Sequence, residues 1–281
     1  MKLYISLDME GMAGICQPVQ QTEDRAAFRE ALHMQLGWLI EGIQRSERSD
    51  EITDIVVADS HGEGTNLVYS QVSAMDPRIS LVAGSPRRTF MMAGIDATFD
   101  ACIFVGYHAG PGHEHANMDH AFSGKVVDTL RVNGVVMNES TVNAALAGDF
   151  GVPVALVIGD SGLREELLDE GRMPWVEYVE TKRSLSNCAA VFRPMEAIRA
   201  DTIAAVGRVL SHGSDLATLP RYTTAHPCEL AIRFRRTIMA DEVAQVPGTT
   251  RVDGLTVSIP CRDMSELVCG ISALTTLAGC M

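Results

Sequence analysis

Five short apolar runs, each ending in a polar or glycine-bearing break, constrain this chain most: residues 3–7, 55–58, 79–83, 101–105 and 152–158. They are apolar without alternation, so strands formed there must be covered on both faces, as in a parallel sheet. Helical spacing supplies the cover. Phe28, Leu32, Leu36, Leu39, Ile40 and Ile43 fall on one side of a segment over 24–45, a helix-period pattern. The arrangement predicts an α/β fold, a mostly parallel sheet flanked by helices.

Residues 126–136 form a hairpin pattern around Asn133-Gly134, and an Ala-rich helix is expected over 139–147, because Asn-Gly favours the tight turn between antiparallel strands. A short helix is expected near 163–168. Beyond Arg172 the texture changes to Val176-Glu177-Tyr178-Val179, a helix over 195–210, strands around 229–234 and 255–259, and a last helix over 264–277. This reads as a smaller C-terminal α+β part. The boundary is expected near residue 185, giving a catalytic α/β domain over 1–185 and the smaller domain over 186–281.

Charge removes one class of function. With 36 acidic against 23 basic side chains and a net charge of −13, the chain has no Lys/Arg cluster with which to neutralise phosphates, so no nucleic-acid surface is expected. Asp8 interrupts the first apolar stretch too early for a signal-peptide core, and no run approaches the roughly 18 apolar residues of a membrane span. A soluble cytoplasmic protein without membrane contact is expected. Seven scattered cysteines with no C-x-x-C indicate neither a disulfide framework nor a thiolate zinc site, and most read as buried small apolar residues.

The candidate chemistry gathers where strands end. Asp8 and Glu10 follow the first run, His61 the second and His108 the fourth; loops at the carboxyl edge of such a sheet converge on a crevice where ligands sit. Asp8 and Glu10 are two residues apart, so extended backbone projects them to one side, and neighbouring carboxylates repel unless a cation lies between them. Oxygen donors beside imidazoles suit zinc, manganese or non-haem iron. Four of the eight histidines, His108, His113, His115 and His120, lie in one glycine-bearing stretch. Such a loop can offer a metal ligand at one end and a proton-transfer group at the other. His113-Glu114-His115 lacks the helical-turn spacing of H-E-x-x-H, residues 11–14 form no phosphate-binding loop, and no G-x-S-x-G is present. Cys16 reads as a buried thiol.

Asp8-Met9-Glu10-Gly11, Asp59-Ser60-His61, Gly106-Tyr107-His108-Ala109, Met118-Asp119-His120 and Asn133-Gly134 leading to Asn138-Glu139 together resemble the bacterial zinc-dependent D-aminopeptidases. The resemblance runs along most of the chain and is most specific at D-M-E-G and G-Y-H-A. It implies two zinc ions per subunit held by Asp8, Glu10, His61, His108 and Glu139, with Asp8 bridging, and His120 as the catalytic histidine. Without the resemblance, Glu139 reads only as a carboxylate favoured by a helix N-terminus. The resemblance further implies hydrolysis of the N-terminal residue of short peptides or aminoacyl amides by a metal-activated water, and a homodecamer of two five-membered rings. Residues 110–117 depart from the family pattern in being histidine-rich and would border the substrate. The residues alone leave open an amidohydrolase acting on a non-peptide amide or amino-acid conjugate, and a non-catalytic metal-binding ring. They do not separate D- from L-specificity.

Overall fold

The five apolar runs are five neighbouring strands of one sheet in a computed structural model that describes every residue from Met1 to Met281. In chain order the strands are β1 (Lys2–Leu7), β2 (Asp54–Asp59), β3 (Ile79–Val82), β4 (Ala101–Tyr107), β5 (Val127–Val132), β6 (Val135–Val136), β7 (Val154–Asp160), β8 (Glu177–Ser186), β9 (Ala189–Phe192), β10 (Cys228–Phe234), β11 (Thr250–Arg251) and β12 (Thr256–Cys261). A seven-stranded sheet has the order β3-β2-β1-β4-β7-β8-β9 and is parallel except for β9. A second sheet, β11-β12-β10-β5-β6, is wholly antiparallel.

The order of the first sheet explains where a ligand belongs. From β1 the chain works outward through β2 to β3, then returns to β4 on the other side of β1. β1 and β4 therefore flank a topological switch point, the place in an open sheet where a ligand crevice forms at the strands' carboxyl ends.

Alternation along β1 divides the core. Leu3, Ile5 and Leu7 join one apolar cluster with Phe28, Leu32, Leu36 and Ile43 of the helix Arg25–Arg45 and with Val206 and Leu210 of the helix Met195–Ser211. Tyr4 points the other way, into a cluster with Phe104, the helix Glu139–Asp149, the second sheet and the helix Met264–Gly279. Both faces are covered, as the unbroken apolar runs require.

The Ala-rich helix Glu139–Asp149 is wedged between the layers, buried from Glu139 through Ala147. Small side chains permit this approach; a Cβ at Gly148 would stand 2.2 Å from the Tyr222 carbonyl oxygen. The expected hairpin is present, with Asn133 and Gly134 both at positive φ, 50° and 80°, as a type I′ turn needs.

Sheet membership does not follow chain order. The antiparallel sheet draws β5 and β6 from before residue 185 and β10–β12 from after it, while Leu185 lies inside β8. Two helices that the apolar spacing does not reveal, Tyr69–Met75 and Thr237–Val243, complete the flanks. The expectation that most cysteines are buried fails: Cys102, Cys228 and Cys261 are buried, Cys16 and Cys269 are half-buried, and Cys188 and Cys280 are exposed. Cysteines on loops and the last helix simply lack covering layers. No helix is long and apolar enough to cross a membrane.

Candidate metal centre

Two glycines bring the loops after β1 and β4 together. Asp8 N–H donates to the Val105 carbonyl at 2.8 Å and Gly11 N–H to the Gly106 carbonyl at 2.7 Å. A Cβ on Gly11 would lie 1.9 Å from the Tyr107 oxygen, and one on Gly106 (φ +75°) 2.3 Å from the Asp8 oxygen. No other residue fits that approach. The glycines in D-M-E-G and G-Y-H-A thus have one physical cause, the zippering of two loops that carry Asp8, Glu10 and His108.

The His61 loop is held differently. Asp59, fully buried at the end of β2, accepts hydrogen bonds from Asn66 N (2.6 Å), Leu67 N (2.8 Å) and Asn66 Nδ2 (2.8 Å), and the Asn66 amide also donates to the His61 carbonyl. Glu139 opens its helix immediately after Asn138, whose side chain accepts from Thr141 N in a capping box, the arrangement that satisfies orphan N–H groups of a first turn. Buried Glu166 ties Asn138 to the loop after β4, accepting from Asn138 Nδ2 and from Gly110 N at 3.0 Å.

These supports bring all six predicted residues into one cluster. His61 Nε2 lies 3.3 Å from Glu10 Oε1, His108 Nε2 lies 3.8 Å from Asp8 Oδ2 and 3.6 Å from Glu139 Oε1, and His120 Nε2 lies 3.6 Å from that same Glu139 oxygen. Candidate ligand atoms fall into three overlapping sets, each within 4.8 Å: Asp8–Glu10–His61, Asp8–His108–Glu139 and Glu10–His108–His120. Asp8 belongs to the first two, which is the placement a bridging carboxylate needs.

Electrostatics set these groups against one another. Burial raises Asp8 well above the usual carboxylate range, and Glu10 and Glu139 raise it further. Burial also opposes ionisation of Glu10 and Glu139, but the facing histidines outweigh it and both end below the usual range. His61 and His108 move up despite burial because carboxylates surround them. Without a cation, the cluster must hold protons to offset its charge.

The donor set fits a metal. Asp8 Oδ2, Glu10 Oε2 and His108 Nε2 are buried with no hydrogen-bond partner, a condition costing about 1–3 kcal/mol per group unless something fills it. Nδ1–H of His108 donates to the Ala109 carbonyl (2.9 Å) and Nδ1–H of His120 to the Met118 carbonyl (2.8 Å). Both imidazoles therefore turn a lone pair on Nε2 towards the carboxylates, the tautomer a ligating histidine adopts. Three carboxylates with imidazoles suit zinc.

Glu10, His61 and His120 of the cluster line an open cleft of about 510 Å³, walled further by residues including Met118, Asp119, Ser123, Lys125 and Arg235. Of the other loop histidines, His113 faces Glu165 at 3.7 Å and His115 is exposed. Neither reaches the cluster.

The chain is similar to known proteins along nearly its whole length. A family model described as D-aminopeptidase matches residues 1–273. A D-aminopeptidase of Bacillus subtilis (strain 168) is 27% identical over 292 residues, covering 99% of this chain and 98% of the relative. A solved structure, described as the Zn-dependent D-aminopeptidase DppA from Bacillus subtilis, a self-compartmentalizing protease, superimposes with a TM-score of 0.90 at 25% identity, covering 100% of this chain and 99% of that one.

Proposed function

The chain belongs to the D-aminopeptidase family, and from that premise we propose that it is a zinc-dependent aminopeptidase releasing the N-terminal residue, D-residues included, from short peptides or aminoacyl amides. Asp8, Glu10 and His61 would hold one zinc ion and Asp8, His108 and Glu139 a second, giving two per subunit. The observation that carries this reading is the sharing of Asp8 between a fully buried ligand set, Asp8–His108–Glu139, and a second set completed by half-buried His61. A bound zinc pair supplies a water acidic enough to attack at neutral pH and an electrophile for the scissile carbonyl.

The chain's own residues do the rest. The chain's net charge of −13 favours the approach of a substrate's cationic α-amino group. His120 lines the cleft, and its tautomer is fixed by the Met118 carbonyl. Its Nε2 lone pair takes up the proton that the attacking water loses, and the protonated Nε2 then stabilises the tetrahedral oxyanion or passes that proton to the leaving amine; its ring is held for this by stacking on His108 at 4.4 Å.

We propose further that the subunits assemble as a homodecamer of two five-membered rings. The solved relative's description as self-compartmentalizing supports assembly, and so do the exposed Val191, Phe192 and Met195 at and just beyond edge strand β9, because an uncovered apolar edge favours association. Seven cysteines without a disulfide fit a reducing compartment, and a cytoplasmic location is part of the proposal.

A panel of D- and L-aminoacyl amides and dipeptides, assayed with purified protein and defined zinc, tests the activity. Release of free N-terminal amino acid, abolished by chelation and restored by zinc, is expected. No turnover anywhere on the panel overturns the aminopeptidase reading.

A further inference from the structure

Lys182 is fully buried on β8, beneath the loop that follows β1. A lysine so placed is rare unless its ammonium is matched. Here no carboxylate pairs with it. Its Nζ donates to the carbonyl oxygens of Glu10 and Ile15 and, at 2.6 Å, to Asn117 Oδ1, using all three ammonium hydrogens on uncharged acceptors. The neighbouring Thr181 hydroxyl donates to the Gly11 carbonyl at 2.5 Å. Two successive residues of β8 thus grip the carbonyls of Glu10, Gly11 and Ile15.

The third acceptor joins this loop to the histidine loop. Asn117 Nδ2 donates to the Cys16 carbonyl (3.0 Å) and the Asn187 carbonyl (2.8 Å), and Met118 N–H donates to Asn187 as well. Met118 in turn supplies the carbonyl that orients His120. One ammonium therefore lies at the junction of the segment bearing Asp8 and Glu10 and the segment bearing His120.

We propose that Lys182 is a positioning residue of the metal centre, its ammonium fixing the Glu10 loop for metal binding and, through Asn117, the His120 loop for turnover. This inference rests on the zinc-centre reading above. The ammonium is suited to three converging oxygens in a way the planar guanidinium of arginine is not.

The test compares wild type, Lys182→Met and Asn117→Ala by chelator competition for zinc and by separate kcat and KM values. Folded Lys182→Met should bind zinc 10- to 100-fold more weakly, the range for loss of a group that orients ligands. Asn117→Ala should keep zinc affinity and KM within about threefold and lose about tenfold or more in kcat, as displacement of a proton-transfer group does. Lys182→Met with wild-type zinc affinity overturns the proposal. If Lys182→Met does not fold, Asn117→Ala decides: wild-type kcat, or a loss of zinc affinity in place of kcat, overturns it. Wild type that binds no zinc overturns the metal-centre reading itself, and this inference with it, a result distinct from either variant's failure.

Discussion

The imidazoles of His108 and His120 stack at 4.4 Å with their planes 14° apart, and both present Nε2 to one oxygen of Glu139 at 3.6 Å. The two rings differ in enclosure: the His108 side chain is 1% exposed and that of His120 is 19% exposed. The inner ring is placed for a metal and the outer one for a substrate. His120→Ala should therefore keep its zinc and lose at least about 100-fold in kcat, the low end of general acid–base contributions. His108→Ala should lose zinc. Elemental analysis beside single-substrate kinetics checks both, and wild-type turnover in His120→Ala removes that residue from the mechanism.

Asp8 takes part in both sets assigned to the zinc pair, Asp8–Glu10–His61 and Asp8–His108–Glu139, so Asp8→Ala should lose more metal than loss of His61 or Glu139, which belong to one set each. Zinc should also raise the melting temperature of wild type, since a ligand that binds only the folded state stabilises it by mass action. Differential scanning fluorimetry with and without zinc should show that rise in wild type and none in Asp8→Ala. An equal rise in both would place the metal elsewhere.

Gly11→Ala tests the zippering of the two loops. Its Cβ would meet a backbone oxygen at 1.9 Å, and backbone cannot yield as a flexible side chain can. A cost of about 3 kcal/mol or more is expected, read as a lower urea midpoint together with weakened zinc binding. A midpoint equal to wild type would contradict the close approach.

Away from the cleft, Asp76 gives the acid limb of stability a defined contributor. Hydrogen bonds from Arg78 hold its carboxyl well below the usual carboxylate range, against the opposing effect of burial. A carboxyl depressed in the folded state stabilises above its unfolded pKa of about 3.9, and that contribution is lost as pH falls towards the folded value. Asp76→Asn should be less stable by about 1 kcal/mol at pH 7, allowing for screening of the partly exposed arginine. Urea titrations should show the gap from wild type narrowing below about pH 4; a gap constant with pH would contradict the assignment.

The sheet was legible in the sequence because strands covered on both faces must be unbroken apolar runs, and the five runs are five adjacent parallel strands. Their ends placed Asp8, Glu10, His61 and His108 at one edge on physical grounds alone. Glu139 and His120 were not legible in that way. A glutamate opening a helix satisfies a general rule of helix electrostatics, so only resemblance to a known family picked out Glu139; a loop histidine carries no periodicity, so the sequence offered His120 as one of four and the resemblance singled it out. Lys182, Asn117 and Glu166 escaped both routes: each acts on atoms distant in sequence, and no local pattern records such contacts. The composition of the second sheet was hidden for a related reason. β5 and β10 pair at separations from 98 (Val132 with Leu230) to 107 residues (Val127 with Phe234), and strand pairing of that range has no signal in a single sequence.

The account turns on two zinc ions sharing Asp8. The most direct test is turnover of a D-aminoacyl amide measured while chelated, metal-free protein is titrated with zinc and the metal bound per chain is counted. Activity should be absent without zinc and reach its plateau at two ions per chain. Full activity in metal-free protein, or a plateau at one ion, would contradict it.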